Sequence, residues 1–111
     1  MGDSMSRAKI VVASAARFYG VRINCPADHP HVLCVDWTPT GMERADTGAR
    51  PVWQFNGDLN RPTFSPSIAD KRADGYLCHS FVRNGRIQFL HDCTHALAGQ
   101  TVDLPEISET A

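Results

Sequence analysis

The dipeptide Asn84-Gly85 constrains this chain more than any other feature of its sequence. It joins two strand-like runs, Tyr76 to Arg83 and Arg86 to Asp92. A type I′ turn needs two successive residues at positive φ, and Asn followed by Gly meets that need at little steric cost. The segment is therefore predicted to be a β-hairpin. A two-residue loop also fixes the register. Arg83 is expected opposite Arg86, Val82 opposite Ile87, Phe81 opposite Gln88, and Ser80 opposite Phe89. His79 then faces Leu90, and Cys78 faces His91. Successive strand side chains point to opposite sides. Cys78, Ser80 and Val82 thus share one face, while His79 and Phe81 share the other.

The rest of the chain reads mostly as strands. Ala8 to Ala13 and Phe18 to Asn24 are the first two, the second with a period of two. Two prolines and an Asp make Cys25 to His31 a turn. His31 to Trp37 resumes a strand, and Thr38 to Arg50 reads as a long loop. Pro51 to Asn56 is a strand with Trp53 and Phe55 on one face, followed by a turn at Asn56-Gly57-Asp58. The aromatic residues at strand spacing read as core. Thr94 to Gly99 is predicted to be one short helical turn, capped by Thr94 and closed by Gly99. Gln100 to Leu104 is the last strand. The expected fold is mainly β: a small single-domain antiparallel sheet or partly open barrel, with a C-terminal hairpin and at most one short helix. A chain of 111 residues fits one domain. Residues 1–6 are expected to be disordered, 7–104 to form the β-rich domain, and 105–111 to be an acidic tail.

Composition removes several function classes. A formal net charge of −1 and the lack of a basic stripe argue against a nucleic-acid partner. No apolar run is long enough to cross a bilayer, so no membrane role is expected. The apolar stretch Ile10 to Ala13 is broken by Ser14 and Arg17, which is short for an export signal, and the cytoplasm is the expected compartment. In that compartment Cys25, Cys34, Cys78 and Cys93 read as thiols or metal ligands rather than disulfides.

Four groups of residues can carry chemistry. Arg61 to Ile68 holds two serines beside prolines, which fix the backbone and aim the hydroxyls. A nucleophilic serine needs such rigidity and a base within reach; a Pro-rich turn bonded to its own amides is the plainer reading. His79 suits a general base at neutral pH, or a half-buried strand position. In the cluster His91, Asp92, Cys93 and His95, Asp92 either orients an imidazole or caps a turn. Cys25, Asp28, His29 and His31, with Cys78, Cys93 and His95 from the far end of the chain, supply ligands for a tetrahedral zinc. Small domains often need such a staple, although the spacing matches no standard zinc module and there is no Cys-x-x-Cys pair.

From Trp53 to Leu104 the chain resembles the domain-of-unknown-function family 6527 of phages and prophages. The resemblance lies in WQFNGDLNRPTFSPSI, CHSFVRNGRIQFL and DCTHALAGQTVDLP. Cys25-Pro26 with His29 is similar to the family's cysteine-rich N-terminal region, but Ala27, Asp28 and His29 stand where relatives carry a Cys-Pro-x-Cys-like knuckle. A more distant branch shares a Pro-Thr-x-x-Pro-Ser pattern and a His-aromatic strand, which fall here on Ser67 and His79. Relatives in bacterial ubiquitin-like conjugation operons imply a peptidase acting on the ubiquitin-like protein. The resemblance thus implies a small serine-type peptidase with Ser67 as nucleophile and His79 as base; Asp92 or His95, from the polar cluster, would orient or assist. Its partner is a protein or peptide, such as a ubiquitin-like protein. The alternative is a non-enzymatic phage accessory module stapled by structural zinc on Cys25, His29 and Cys78.

Overall fold

The structure, a computed structural model, describes residues 5–27 and 30–108. All regular elements among them are strands: β1 (Met5–Ser6), β2 (Lys9–Ser14), β3 (Arg17–Asn24), β4 (Pro30–Leu33), β5 (Glu43–Arg44), β6 (Gln54–Phe55), β7 (Phe64–Lys71), β8 (Leu77–Arg83), β9 (Arg86–Phe89), β10 (Thr101–Asp103) and β11 (Ile107–Ser108). No helix of the described residues is long and apolar enough to cross a membrane.

The hairpin is where the turn chemistry puts it. Asn84 and Gly85 have φ of 52° and 77°. The register pairs Arg83 with Arg86, Val82 with Ile87, Phe81 with Gln88 and Ser80 with Phe89. Leu90 N–H donates to His79 C=O at 2.9 Å, one step further along the same ladder. The chain then leaves the ladder in a turn, so the expected pairing of Cys78 with His91 does not form. Cys93 N–H closes the turn on Leu90 C=O at 3.2 Å, and Thr94 pairs with Leu77 instead.

This hairpin is the centre of a five-stranded antiparallel sheet in the order β10-β9-β8-β7-β6. A second sheet has the order β2-β3-β4, with β5 alongside β3 in parallel. Both sheets stay open, so the outcome is two packed sheets rather than a barrel. Phe18, Val21, Ile23 and Leu33 from the second sheet meet Phe64, Ile68, Cys78, Val82, Ile87 and Phe89 from the first in one buried cluster. Alternation in β8 is clean: Cys78, Ser80 and Val82 are buried, while His79 and Phe81 are half-buried. Gly20 is required where β3 crosses β4, since a Cβ there would run into the carbonyl of Leu33.

Three elements differ from the sequence expectation. The Pro-rich segment around Ser67 is a strand, β7, with a register irregularity between Phe64 and Ile68 that accommodates Pro66. Proline is tolerated in a sheet at such bulges and edges. The predicted helical turn Thr94 to Gly99 is a non-helical turn: Ala98 N–H reaches His95 C=O, and Gln100 N–H reaches Leu97 C=O. Thr94 does not cap a helix, because its hydroxyl accepts Leu77 N–H at 3.0 Å. Finally, Met5–Ser6 pairs with Ile107–Ser108, so residues of the expected disordered N-terminus and of the acidic tail form a small two-stranded sheet. Leu104 and Ile107 are buried, which supplies the apolar gain for ordering that end.

Candidate functional site

Cys78 and His79 are neighbours on β8 and therefore face opposite sides of the sheet. Each side carries its own constellation.

On the outer side, β7 brings Ser67 beside His79. The pairs Ile68 with Ser80 and Ala69 with His79 put Ser67 one step diagonal to His79 on the same face. Ser67 Oγ lies 3.0 Å from His79 Nε2. The turn after β9 returns Asp92 to the other ring nitrogen, with Oδ2 3.1 Å from Nδ1. His79 is thus held between a hydroxyl and a carboxylate. With Nδ1–H donating to Asp92, Nε2 carries the lone pair that can accept the serine proton. Asp92 is more open than His79, with side-chain exposures of 54% and 27%, so water screens its charge.

The backbone around this set is fixed from several directions. Trp53 Nε1–H donates to the carbonyl of Ser67 at 3.2 Å. Cys93 clamps the backbone of His79: His79 N–H donates to its Sγ at 3.2 Å, and the thiol returns a bond to His79 C=O at 3.1 Å. Thr94 secures the same turn on Leu77. By sequence Trp53 is a core aromatic and Cys93 a candidate ligand, and these anchoring bonds are not legible there, because a contact from a side chain to distant backbone leaves no periodic trace. A cavity of about 230 Å³ lies beside the site, lined by Gln54, Phe55, Asn56, Thr63 and Ser65.

On the inner side, Cys25 at the end of β3 and Cys78 on β8 come within 4.0 Å, Sγ to Sγ. The hydrogen bond with Cys78 lowers the Cys25 thiol to about 4, against burial and with help from His31. The same bond, and then burial, raises the Cys78 thiol. The bond thus favours ionisation of one thiol while the other keeps its proton, and a thiolate is the form that binds metal. Cys25, His31 and Cys78 form one set whose ligand atoms lie within 4.8 Å of one another. Cys78, Cys93 and His95 form a second such set, so Cys78 belongs to both. His95 Nε2 is buried without a hydrogen-bond partner among the described residues. These Cys/His groups are close enough to hold a metal ion. His95, expected on sequence grounds to orient or assist, stands instead with Cys78 and Cys93, half-buried, with its ring edge-on to Phe89. His29 lies outside the described residues; His31 is the histidine brought to Cys25 and Cys78.

A family model described as bacterial ubiquitination-like system serine protease (BubE) matches residues 1–90. No curated protein and no solved structure matches the chain. The match covers most of the 111 residues, and the chain belongs to this serine protease family. Ser67, His79, Cys25, His31 and Cys78 fall inside the matched span, whereas Asp92, Cys93 and His95 follow it.

Proposed function

We propose that the chain is a serine peptidase whose nucleophile is Ser67, whose general base is His79 and whose orienting carboxylate is Asp92. The observation that carries this reading is the double engagement of one imidazole, Nε2 at 3.0 Å from Ser67 Oγ and Nδ1 at 3.1 Å from Asp92 Oδ2. Both distances are within hydrogen-bond reach for proton transfer. In the first step Ser67 Oγ bonds to the substrate carbonyl carbon, and its proton passes to His79 Nε2. The carbon–nitrogen bond then breaks, and the leaving amine takes the proton from Nε2. Water, deprotonated by the same imidazole, attacks the acyl-enzyme; the new acid leaves and Ser67 regains its proton. The same sequence cleaves an ester, with an alcohol leaving in place of the amine.

Family membership supports a protein substrate from a bacterial ubiquitination-like system. The tail or conjugate of a ubiquitin-like protein is the substrate we favour, with the bacterial cytoplasm as the compartment. A phage or prophage setting rests on the sequence resemblance. The test is labelling by a fluorophosphonate, together with cleavage of a ubiquitin-like fusion from a bacterial conjugation operon. Wild-type protein is expected to react in both and Ser67→Ala in neither. Identical behaviour of the two proteins refutes the assignment.

A second reading concerns the inner cluster. We propose that Cys25, His31 and Cys78, with Cys93 or His95 as a further ligand, hold a structural zinc. The buried thiol pair and the orphaned His95 Nε2 support it, and the donor set is one that zinc prefers. Bound there, the metal ties the end of β3 to β8 and so joins the two sheets. Elemental analysis of purified protein tests this, with stoichiometric zinc expected. Metal-free protein that keeps its stability in chelator refutes it.

A further inference from the structure

We propose that the outer edge of β7 from Ser67 to Lys71 is a strand-docking site, to which an extended segment of the protein substrate adds as a further strand and so presents its carbonyl to Ser67. This inference rests on Ser67 being the nucleophile and adds how the substrate backbone is held.

The five-stranded sheet ends at β6, but β6 pairs only with Phe64 and Ser65 of β7. The remainder of β7 pairs with β8 alone among the described residues. The direction of its peptide groups follows from the ladder. His79 C=O accepts Leu90 N–H, so His79 turns its peptide groups toward β9. Peptide groups alternate along a strand, so Cys78 and Ser80 turn theirs toward β7. Their partners Asp70 and Ile68 bond back to them. Ala69 and Lys71 must then direct N–H and C=O away from β8, to the side that β6 leaves uncovered. Ala69 is exposed, and its side chain sits on the same face as Ser67 and His79.

The edge begins at the reacting group. Ser67 C=O also points to this side, where Trp53 Nε1–H already occupies it. Trp53 thereby closes the ladder at the nucleophile and leaves Ala69 and Lys71 as the available positions. In the opposite direction along β7, the cavity lined by Gln54, Phe55, Asn56, Thr63 and Ser65 gives room for a side chain beyond the scissile bond. An uncapped strand edge is a hazard that proteins normally bury or break; one that starts at a hydroxyl–imidazole pair has a use. Adding a strand gives affinity through main-chain hydrogen bonds, with little demand on sequence. The expected ligand is therefore a flexible, extended protein tail rather than a folded surface or a free amino acid.

Two probes test this on the full chain: a plain alkyl fluorophosphonate and an acetyl-trialanyl diphenyl phosphonate. In each case Ser67 Oγ bonds to phosphorus, fluoride or phenoxide leaves, and His79 takes the proton. Amide hydrogen exchange is then read residue by residue. In the peptidyl adduct, the Ala69 and Lys71 amides are expected to slow by about tenfold or more. In the alkyl adduct they are expected to exchange as in free protein. Ile68 and Asp70, already bonded to β8, serve as internal references in both. N-methylation of the peptidyl probe is expected to slow inactivation at alternate amides only, because only every second peptide group of an added strand faces β7. Modification of Ser67 by both probes with fast exchange at Ala69 and Lys71, or an equal effect of N-methylation at adjacent amides, overturns the docking site and leaves the nucleophile intact. Failure of both probes to modify Ser67 overturns the nucleophile assignment and the docking site together.

Discussion

The two faces of β8 differ more than any two regions of the molecule, although adjacent residues begin them. His79 looks outward to a hydroxyl and a carboxylate, in a setting that water reaches. Cys78 looks inward to a second thiol and is buried among Phe89, Ile68 and Val82. The outward set can move a proton because its members stay accessible to substrate. The inward set can hold a cation because its thiol and imidazole ligand atoms lie close together, and the bond between Cys25 and Cys78 favours a thiolate there against the effect of burial. Strand alternation lets one short segment serve both without mixing them. The lesson is that placement on a strand, more than residue type, separates the hydroxyl–imidazole–carboxylate set from the thiol cluster.

Four experiments press on that separation. Ser67→Ala is expected to lower kcat/KM by roughly 10⁴-fold or more, since removing a nucleophile leaves only binding and electrostatic terms. Its melting temperature should stay within a few degrees of wild type; a large fall would mean that the outer set also staples the fold. Asp92→Asn is expected to cost about 10²-fold, less than the roughly 10⁴-fold that a buried orienting Asp commands, because Asp92 is half open to water. An effect as large as that of Ser67→Ala would show that its exposure does not weaken it. Metal removal by chelator, or Cys78→Ser, addresses the other face. With free zinc at a hundredfold its Kd, loss of the ion costs about 3 kcal/mol, or a fall in Tm of roughly 10–20 °C. Below that lowered Tm, fluorophosphonate labelling should persist. Its loss would break the independence of the faces and point to the Cys93 clamp on the His79 backbone as the link. The smallest effect is expected at the turn that sets the register of both faces. Gly85→Ala places a Cβ at φ 77°, about 3.3 Å from the Cα of Arg61, and should cost about 1–2 kcal/mol by chemical denaturation.

Residues in the hairpin illustrate how far local chemistry reaches. Asn84-Gly85 determined the turn, the turn determined the register, and the register assigned Cys78 and His79 to opposite faces. All of this is legible because the forces involved act over a few residues: φ preference, strand twist and alternation. Ser67 and His79 stood out through resemblance to related sequences, and Asp92 through its place beside a polar cluster. The strand that carries Ser67 was not legible. Pro62 and Pro66 mask it, since a lone sequence gives no sign that a bulge will absorb a proline.

Tertiary structure alone decided the partnerships. It chose Asp92 over His95 as the partner of His79, because a turn closed by Cys93 N–H on Leu90 C=O brings Asp92 to His79 Nδ1 and sets the half-buried His95 edge-on against Phe89. It chose His31 to stand with Cys25 and Cys78, because antiparallel pairing of β4 with β3 sets His31 opposite Ile23, close to the cysteine at the end of β3. Both choices depend on contacts between segments far apart in the chain. Sequence pattern encodes which face a side chain takes; packing of two sheets encodes what it meets there.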